Sequence, residues 1–293
     1  MHRMNPWQRF YWKQAATSTM GAFGPRYLDL TPTEFGGPVE FLEATKTTSR
    51  VRARVPEWCA RPDGAAPLGA LLAILDQCST FGGLAEFSPD GRAGLSITLS
   101  ADVVDGAVVA PDEAITVETR LLKQGRTLAF LACDVRADDG DRLLLEGRHA
   151  KFLNLGFQHD LFIHSPLRRA TLPLLEMLAD RGPRHAYEGG AAGLTADDVF
   201  GFRGDGTMDV TAAHCNGIGG LHGGAACMIA ERAATRSRPD AGPPKSMNVT
   251  LMAALRAGAA ATTATTWPTA TQARVTIADG ATGLPCYDVA VGF

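Results

Sequence analysis

Aromatic residues make up only 7% of the 293-residue chain, and the formal charge of −3 leaves no basic excess. Without a basic face or a stacking platform the sequence offers nucleic acid little to bind, so a small-molecule partner is expected. The first twenty residues, MHRMNPWQRFYWKQAATSTM, contain no apolar run of signal-peptide or membrane-span length, and from this a cytoplasmic protein without a membrane partner is expected. The six cysteines, Cys59, Cys78, Cys133, Cys215, Cys227 and Cys286, show no CxxC or CxxH spacing. Neither disulfides nor a metal site is assigned to them, and no cofactor is expected.

What is present is apolar patterning: 45% of the residues are hydrophobic, enough for one large core or two ordinary ones. An amphipathic segment from Trp7 to about Thr19 reads as a helix, and VEFLEATKTTSRVRARV alternates like strands. Residues 65–81, AAPLGALLAILDQCSTF, place apolar residues at helical spacing and predict one long buried helix. Four strand-like runs follow, GLSITLSADVV, AITVETRLL, TLAFLACDVR and LLLEGRHAKFL, with turn signals at Asp105-Gly106 and Asp139-Gly140. A meander with one apolar face needs a cover, and the preceding helix is the element long and apolar enough to supply it. The expected fold class is α+β, a sheet wrapped round a helix.

The order then repeats: FGFRGDGTMDVTAAH as strand, HGGAACMIAERAAT as helix, and MNVTLMAALRAGA, a Thr/Ala-rich run, QARVTIAD and CYDVAVGF as strands. LSITLSADVVDGA aligns without a gap on MNVTLMAALRAGA, and LGALLAILD aligns on GGAACMIAE with Asp76 opposite Glu231. An internal duplication is read from this: repeat one over residues 1–155 with the N-terminal helix, a linker over 156–196, and repeat two over 197–293. Side-by-side pairing of the repeats into one continuous sheet would remove the exposed flank of each.

The segment that carries chemistry is His214-Cys215-Asn216-Gly217-Ile218-Gly219-Gly220-Leu221-His222-Gly223-Gly224. Its glycines let something approach the backbone at a helix start, where free N–H groups and the positive end of the helix dipole suit a carbonyl becoming an oxyanion. Asn216, the Gly-rich turn, His222-Gly223-Gly224 and Glu231 later in the helix resemble the hotdog thioesterases of the phenylacetate-degradation type (PaaI-like). The resemblance is strongest over residues 205–260 and legible over 48–155. It implies a hotdog fold, here doubled, and hydrolysis of acyl-CoA thioesters. It also implies a Gly amide as oxyanion donor, an Asn that positions, a carboxylate as base or nucleophile, and a Ser on the strand after the helix, which is Ser96 here.

Gly223 and Glu231 lie two turns apart on one helix, roughly 12 Å at about 1.5 Å per residue, too far to touch one thioester carbon. Antiparallel packing of the two long helices instead brings Asp76 of repeat one to Asn216 and Gly223 of repeat two. Thr80, one turn beyond Asp76, and Ser96 are expected to hydrogen-bond its carboxylate, and His222 is expected to order the loop or carry a proton. In the mirror-image site Arg61, Pro67 and Leu68 stand for Asn216, His222 and Gly223, and Asn248 for Ser96. That site is expected to be closed, with Arg61 paired to Glu231. Lys123, Arg126 and Arg148 are candidates for the CoA phosphates. A hotdog enoyl-CoA hydratase or dehydratase, using His222 with Asp76, and a non-catalytic acyl-CoA-binding protein are the competing readings; association of two chains into a homodimer is left open.

Overall fold

The computed structural model describes residues 27–28, 38–61, 63–84, 93–104, 107–138, 142–154, 195–216 and 219–293. The expected N-terminal helix, the residues assigned to the linker up to 194 and both Asp-Gly turns lie outside these.

The first half contains β1 (Glu40–Ala44), β2 (Thr48–Arg54), helix α1 (Leu68–Gln77), β3 (Leu95–Val103), β4 (Ala114–Gln124), β5 (Leu128–Ala137) and β6 (Leu143–Phe152). The second contains a short helix α2 (Ala196–Phe200), β7 (Thr207–Asp209), helix α3 (Gly223–Ser237), β8 (Ser246–Leu251), β9 (Ala260–Thr269), β10 (Gln272–Asp279) and β11 (Pro285–Gly292). The eleven strands of the described residues form one sheet in the order β1-β2-β4-β5-β6-β3-β8-β11-β10-β9-β7, and the paired strands run antiparallel. The fold is a sheet-dominated α+β architecture with few helices, as a hotdog layout requires.

Three local expectations differ. The strands after α1 are not a simple meander, because β3 lies beside β6 and its other edge pairs with β8, Leu99 opposite Val249 and Ala101 opposite Met247. A central position satisfies both edges of β3, which a meander would leave half unpaired. The helix predicted over 65–81 is α-helical only to Gln77 and continues as a wide π-type turn over Cys78–Leu84. FGFRGDGTMDVTAAH yields a strand of only three residues, β7, after α2. Thr195 and Asp198 cap α2 reciprocally, a signal overlooked in TADD.

The alternation of β2 turns Ser49, Val51 and Ala53 inward and leaves Arg50 and Arg54 exposed. Every residue of α1 is buried, and so is α3 from Gly223 to Glu231. The helices touch backbone to backbone: a Cβ on Gly69 would lie 2.8 Å from Met228 Cα, and one on Gly224 2.4 Å from Ala73 Cα. The start of α1 thus meets the middle of α3 and the start of α3 meets α1 beyond its middle, which is the antiparallel packing expected. All six cysteines are buried thiols. Among the described residues no helix is long and apolar enough to cross a membrane.

Candidate active site

Asp76 sits at the end of α1, 2% exposed. The π-type turn after it folds Thr80 and Ser79 back onto the helix end: Thr80 Oγ1 donates to the Asp76 carbonyl at 2.6 Å and lies 3.3 Å from Oδ1, and Ser79 Oγ lies 3.2 Å from the same carbonyl. Ser96 on β3 donates to Asp76 Oδ1 at 3.0 Å. From β6, Lys151 Nζ donates to Thr80 Oγ1 at 2.8 Å and to Ser96 Oγ at 3.2 Å, standing 3.9 Å from Asp76 Oδ1. His149 Nε2 shares a hydrogen bond with Ser96 Oγ at 2.9 Å, and its Nδ1 one with Ser79 Oγ at 2.7 Å. One carboxylate oxygen is therefore held by a buried polar cluster.

The other oxygen, Oδ2, accepts no hydrogen bond among the described residues. It faces the second half of the chain. There the turn before α3 is closed by Asn216, whose Oδ1 accepts the Gly220 amide at 3.2 Å, and by Gly219 at φ +80°, a left-handed conformation that glycine adopts without strain. Tyr287 Oη donates to the Leu221 carbonyl at 2.5 Å and pins the end of the turn. His222 is the N-cap of α3; its Nδ1 accepts the Gly224 amide at 3.2 Å and lies 2.6 Å from Tyr27 Oη. Ala226 N–H is hydrogen-bonded to the His222 carbonyl. Gly223 N–H, the first amide of the helix, finds no acceptor among the described residues.

The unpaired acceptor and the unpaired donor adjoin. A Cβ on Gly223 would come within 2.9 Å of Asp76 Oδ2 and 3.7 Å of Ser96 Cβ. His222 Nε2 is 3.3 Å from Oδ2, close but not aligned for a hydrogen bond. Buried polar groups are nearly always paired, so an orphaned carboxylate oxygen beside an orphaned helix-start amide marks a place built for atoms from outside the protein.

Electrostatics favour an ionised Asp76. Burial pushes its carboxyl up, but His222, His149, Lys151 and the Ser96 hydroxyl together outweigh burial and hold it below the usual carboxylate range. Burial lowers both imidazoles, His149 to about 3, so they are neutral near pH 7. Burial also brings the Lys151 ammonium down to about 8, although Asp76 pulls the other way. Such an arrangement can hold a water or an acyl carbonyl between a base and an N–H donor.

Of the residues singled out in the sequence, Asp76, Thr80, Ser96, His222 and Gly223 come together, and Asn216 braces the turn that presents Gly223. Lys123 and Arg126 are exposed at the β4–β5 turn, at the sheet end where Gln124, Ala129, Lys151 and Ser96 follow one another in register. Arg148 points to the opposite, outward side of β6 and is exposed, with Nη1 on the Gly147 carbonyl. The expected pairing of Arg61 with Glu231 is not found: Arg61 binds Asp63 at 2.7 Å, two residues away in its own loop, and Glu231 Oε2 instead accepts the Gly69 amide at 2.6 Å. A nearby helix start supplies the carboxylate with a donor that needs no long side chain to be ordered. His149, Lys151, Ser79 and Tyr27 were missed. The strand GRHAKF does carry a signal, since His149 and Lys151 fall on its inward phase, where alternation calls for apolar residues.

No protein-family model matches the sequence, and no curated protein does either. Solved structures do match. The 12:0-ACP thioesterase from Umbellularia californica is similar over 86% of this chain and 98% of its own, at 10% identity and TM-score 0.57. A protein of Lactobacillus plantarum described as an oleoyl thioesterase is similar over 84% of this chain and 94% of its own, at 13% identity and TM-score 0.55. An acyl-ACP thioesterase from Bacteroides thetaiotaomicron is similar over 85% of this chain and 100% of its own, at 11% identity and TM-score 0.52. At these identities the likeness is one of fold, and the chain has the hotdog fold of these proteins.

Proposed function

We propose that this chain is an acyl-CoA thioesterase of the PaaI-like kind, a fused double hotdog in which one composite site between the repeats hydrolyses the thioester. The repeats are residues 1–155 and 197–293, joined through β3 and β8. The observation that carries the reading is the unpaired Asp76 Oδ2 beside the unpaired Gly223 N–H, one from each half.

The thioester carbonyl oxygen accepts the Gly223 amide at the positive end of α3, which stabilises the oxyanion as it forms. Ser96 and Thr80 hold Oδ1 and leave Oδ2 to take a proton from water, whose oxygen attacks the carbonyl carbon, or to attack that carbon itself. Collapse of the tetrahedral intermediate breaks the C–S bond: on the water route the thiolate takes the proton held by Asp76 and leaves as free CoA beside the acid, and on the direct route it leaves an acyl anhydride on Asp76, which water hydrolyses to the acid and the free carboxylate while giving the thiolate its proton. Asn216 fixes the turn that aims Gly223 and helps position the water or the carbonyl. Lys123 and Arg126, at the same end of the sheet, are proposed for the CoA phosphates. At the mirror-image position Glu231 meets the start of α1, where Leu68 replaces Gly223 and the Gly69 amide already occupies the carboxylate; that place is proposed to be structural.

The test is free-thiol release from short, medium, long and aromatic acyl-CoA esters by wild type and by Asp76→Asn. Turnover lost in the variant with ester binding retained is the expected result; binding without thiol release by wild type overturns the hydrolase reading in favour of an acyl-CoA-binding protein.

A further inference from the structure

We infer that Tyr27, from the segment that precedes the first strand, is a positioning residue that fixes His222 in its Nε2–H tautomer, so that the imidazole presents a proton and not a lone pair to Asp76. The inference rests on the proposed role of Asp76 and concerns how its partner is prepared.

Tyr27 is fully buried, with its ring 5.4 Å from Phe200 and 5.9 Å from the His222 ring. Its phenol oxygen is 2.6 Å from His222 Nδ1. A backbone amide can only donate, so the Gly224 N–H directed at Nδ1 from 3.2 Å requires a lone pair there. The single phenolic proton then has Nδ1 as its acceptor, and the imidazole proton is left on Nε2, 3.3 Å from Asp76 Oδ2. Two donors from different parts of the chain thus converge on one nitrogen, and the shorter contact is Tyr27. Burial, reinforced by the charge of Asp76, keeps the phenol protonated well past its ordinary range.

The charged neighbours of His222 explain why the lock matters. Asp76 on α1 favours an imidazolium, whereas burial and Lys151 on β6 oppose it, and neutral His149 lies in the same cluster. Were His222 to take a second proton on Nδ1, it would pair with Asp76 as an ion pair and quench the lone pair that the hydrolysis uses. The Tyr27 hydroxyl, by occupying Nδ1, excludes that state.

The test uses full-length protein labelled with 15N at histidine. Wild type is expected to show His222 as the neutral Nε2–H tautomer from pH 6 to 8; a protonated Nδ1 in that range overturns the inference without any variant. Tyr27→Phe keeps the ring against Phe200, and in it the onset of His222 protonation is expected to move to higher pH. Thiol release should fall about tenfold, the size of one lost hydrogen bond, with the larger loss at pH 6 and KM unchanged. In a His222→Asn background the same Tyr27→Phe change should cost nothing further. Unchanged His222 signals in Tyr27→Phe, with only a lower melting temperature, would show a packing role alone. If the tautomer result holds while wild type releases no thiol from any ester, the hydrolase reading fails and the Tyr27 lock stands.

Discussion

Asp76 Oδ2 and Gly223 stand so close that a methyl group on the glycine would lie 2.9 Å from the carboxylate oxygen. The missing side chain of Gly223 is therefore space that the carboxylate and the reacting group share. Gly223→Ala keeps the N–H but forces Asp76, held by Ser96 and Thr80, to move. Turnover should fall by about a hundredfold, the scale of losing one oxyanion contact, while overpacking costs about 1–3 kcal/mol of stability. Steady-state kinetics beside a urea titration checks both; wild-type kcat in the alanine variant would remove Gly223 from the site.

The neighbouring glycine should behave in the opposite way. A Cβ on Gly224 meets Ala73 Cα at 2.4 Å and Ala73 Cβ at 2.5 Å, so backbone and not a flexible side-chain end must yield. Alanine is the better helix former by about 1 kcal/mol, yet separating α1 from α3 exposes a core in which both helices are buried. Gly224→Ala should lower stability by about 3 kcal/mol or more, and this should appear as an early thermal transition. A variant as stable as wild type would mean the helices are not in backbone contact.

These two glycines also show what the sequence could reveal. His222-Gly223-Gly224 and the carboxylate at Asp76 were readable because both lie in runs whose period and spacing are local, and antiparallel packing of two equivalent helices then paired them. Tyr27 was not readable: its partner is 195 residues away, and nothing in the residues around it announces a site. His149 and Lys151 were hidden for a different reason. The apolar residues of LLLEGRHAKFL define a strand face on their own, and two polar residues on the inward phase of β6 stay inconspicuous within it. The central place of β3 depends on pairing with β8 across the halves, which no local pattern specifies.

Lys151 supplies the positive charge for Asp76 once both imidazoles are neutral. Replacing it with Met removes a cation 3.9 Å from Oδ1 and leaves burial to push the Asp76 carboxyl upward. A carboxylate that loses a cation at this range titrates about one pH unit or more higher. The acid limb of kcat in Lys151→Met should therefore move to higher pH, with activity lost first at the acid end of the profile and activity at pH 8 least affected. A pH–rate profile of wild type and variant checks it. An unmoved limb would mean that Ser96 and Thr80 alone keep Asp76 ionised.

Glu231 sets the opposite sign. Burial pushes its carboxyl up from 4.5 to about 7 against the Gly69 amide and the more distant Arg61, and Oε1 has no hydrogen-bond partner among the described residues. Between those two values the folded chain keeps a proton that the unfolded chain has lost. The stability this confers is thus complete below about pH 4.5 and is lost as pH rises through about 7. Glutamine mimics the protonated acid at every pH. Glu231→Gln should match wild type near pH 4.5 and exceed it at pH 8 by an amount on the order of 3 kcal/mol. Urea unfolding at the two pH values measures the difference directly. A variant less stable than wild type at pH 8 would mean that the charged carboxylate is stabilised in place, with Arg61 turned from Asp63 toward it.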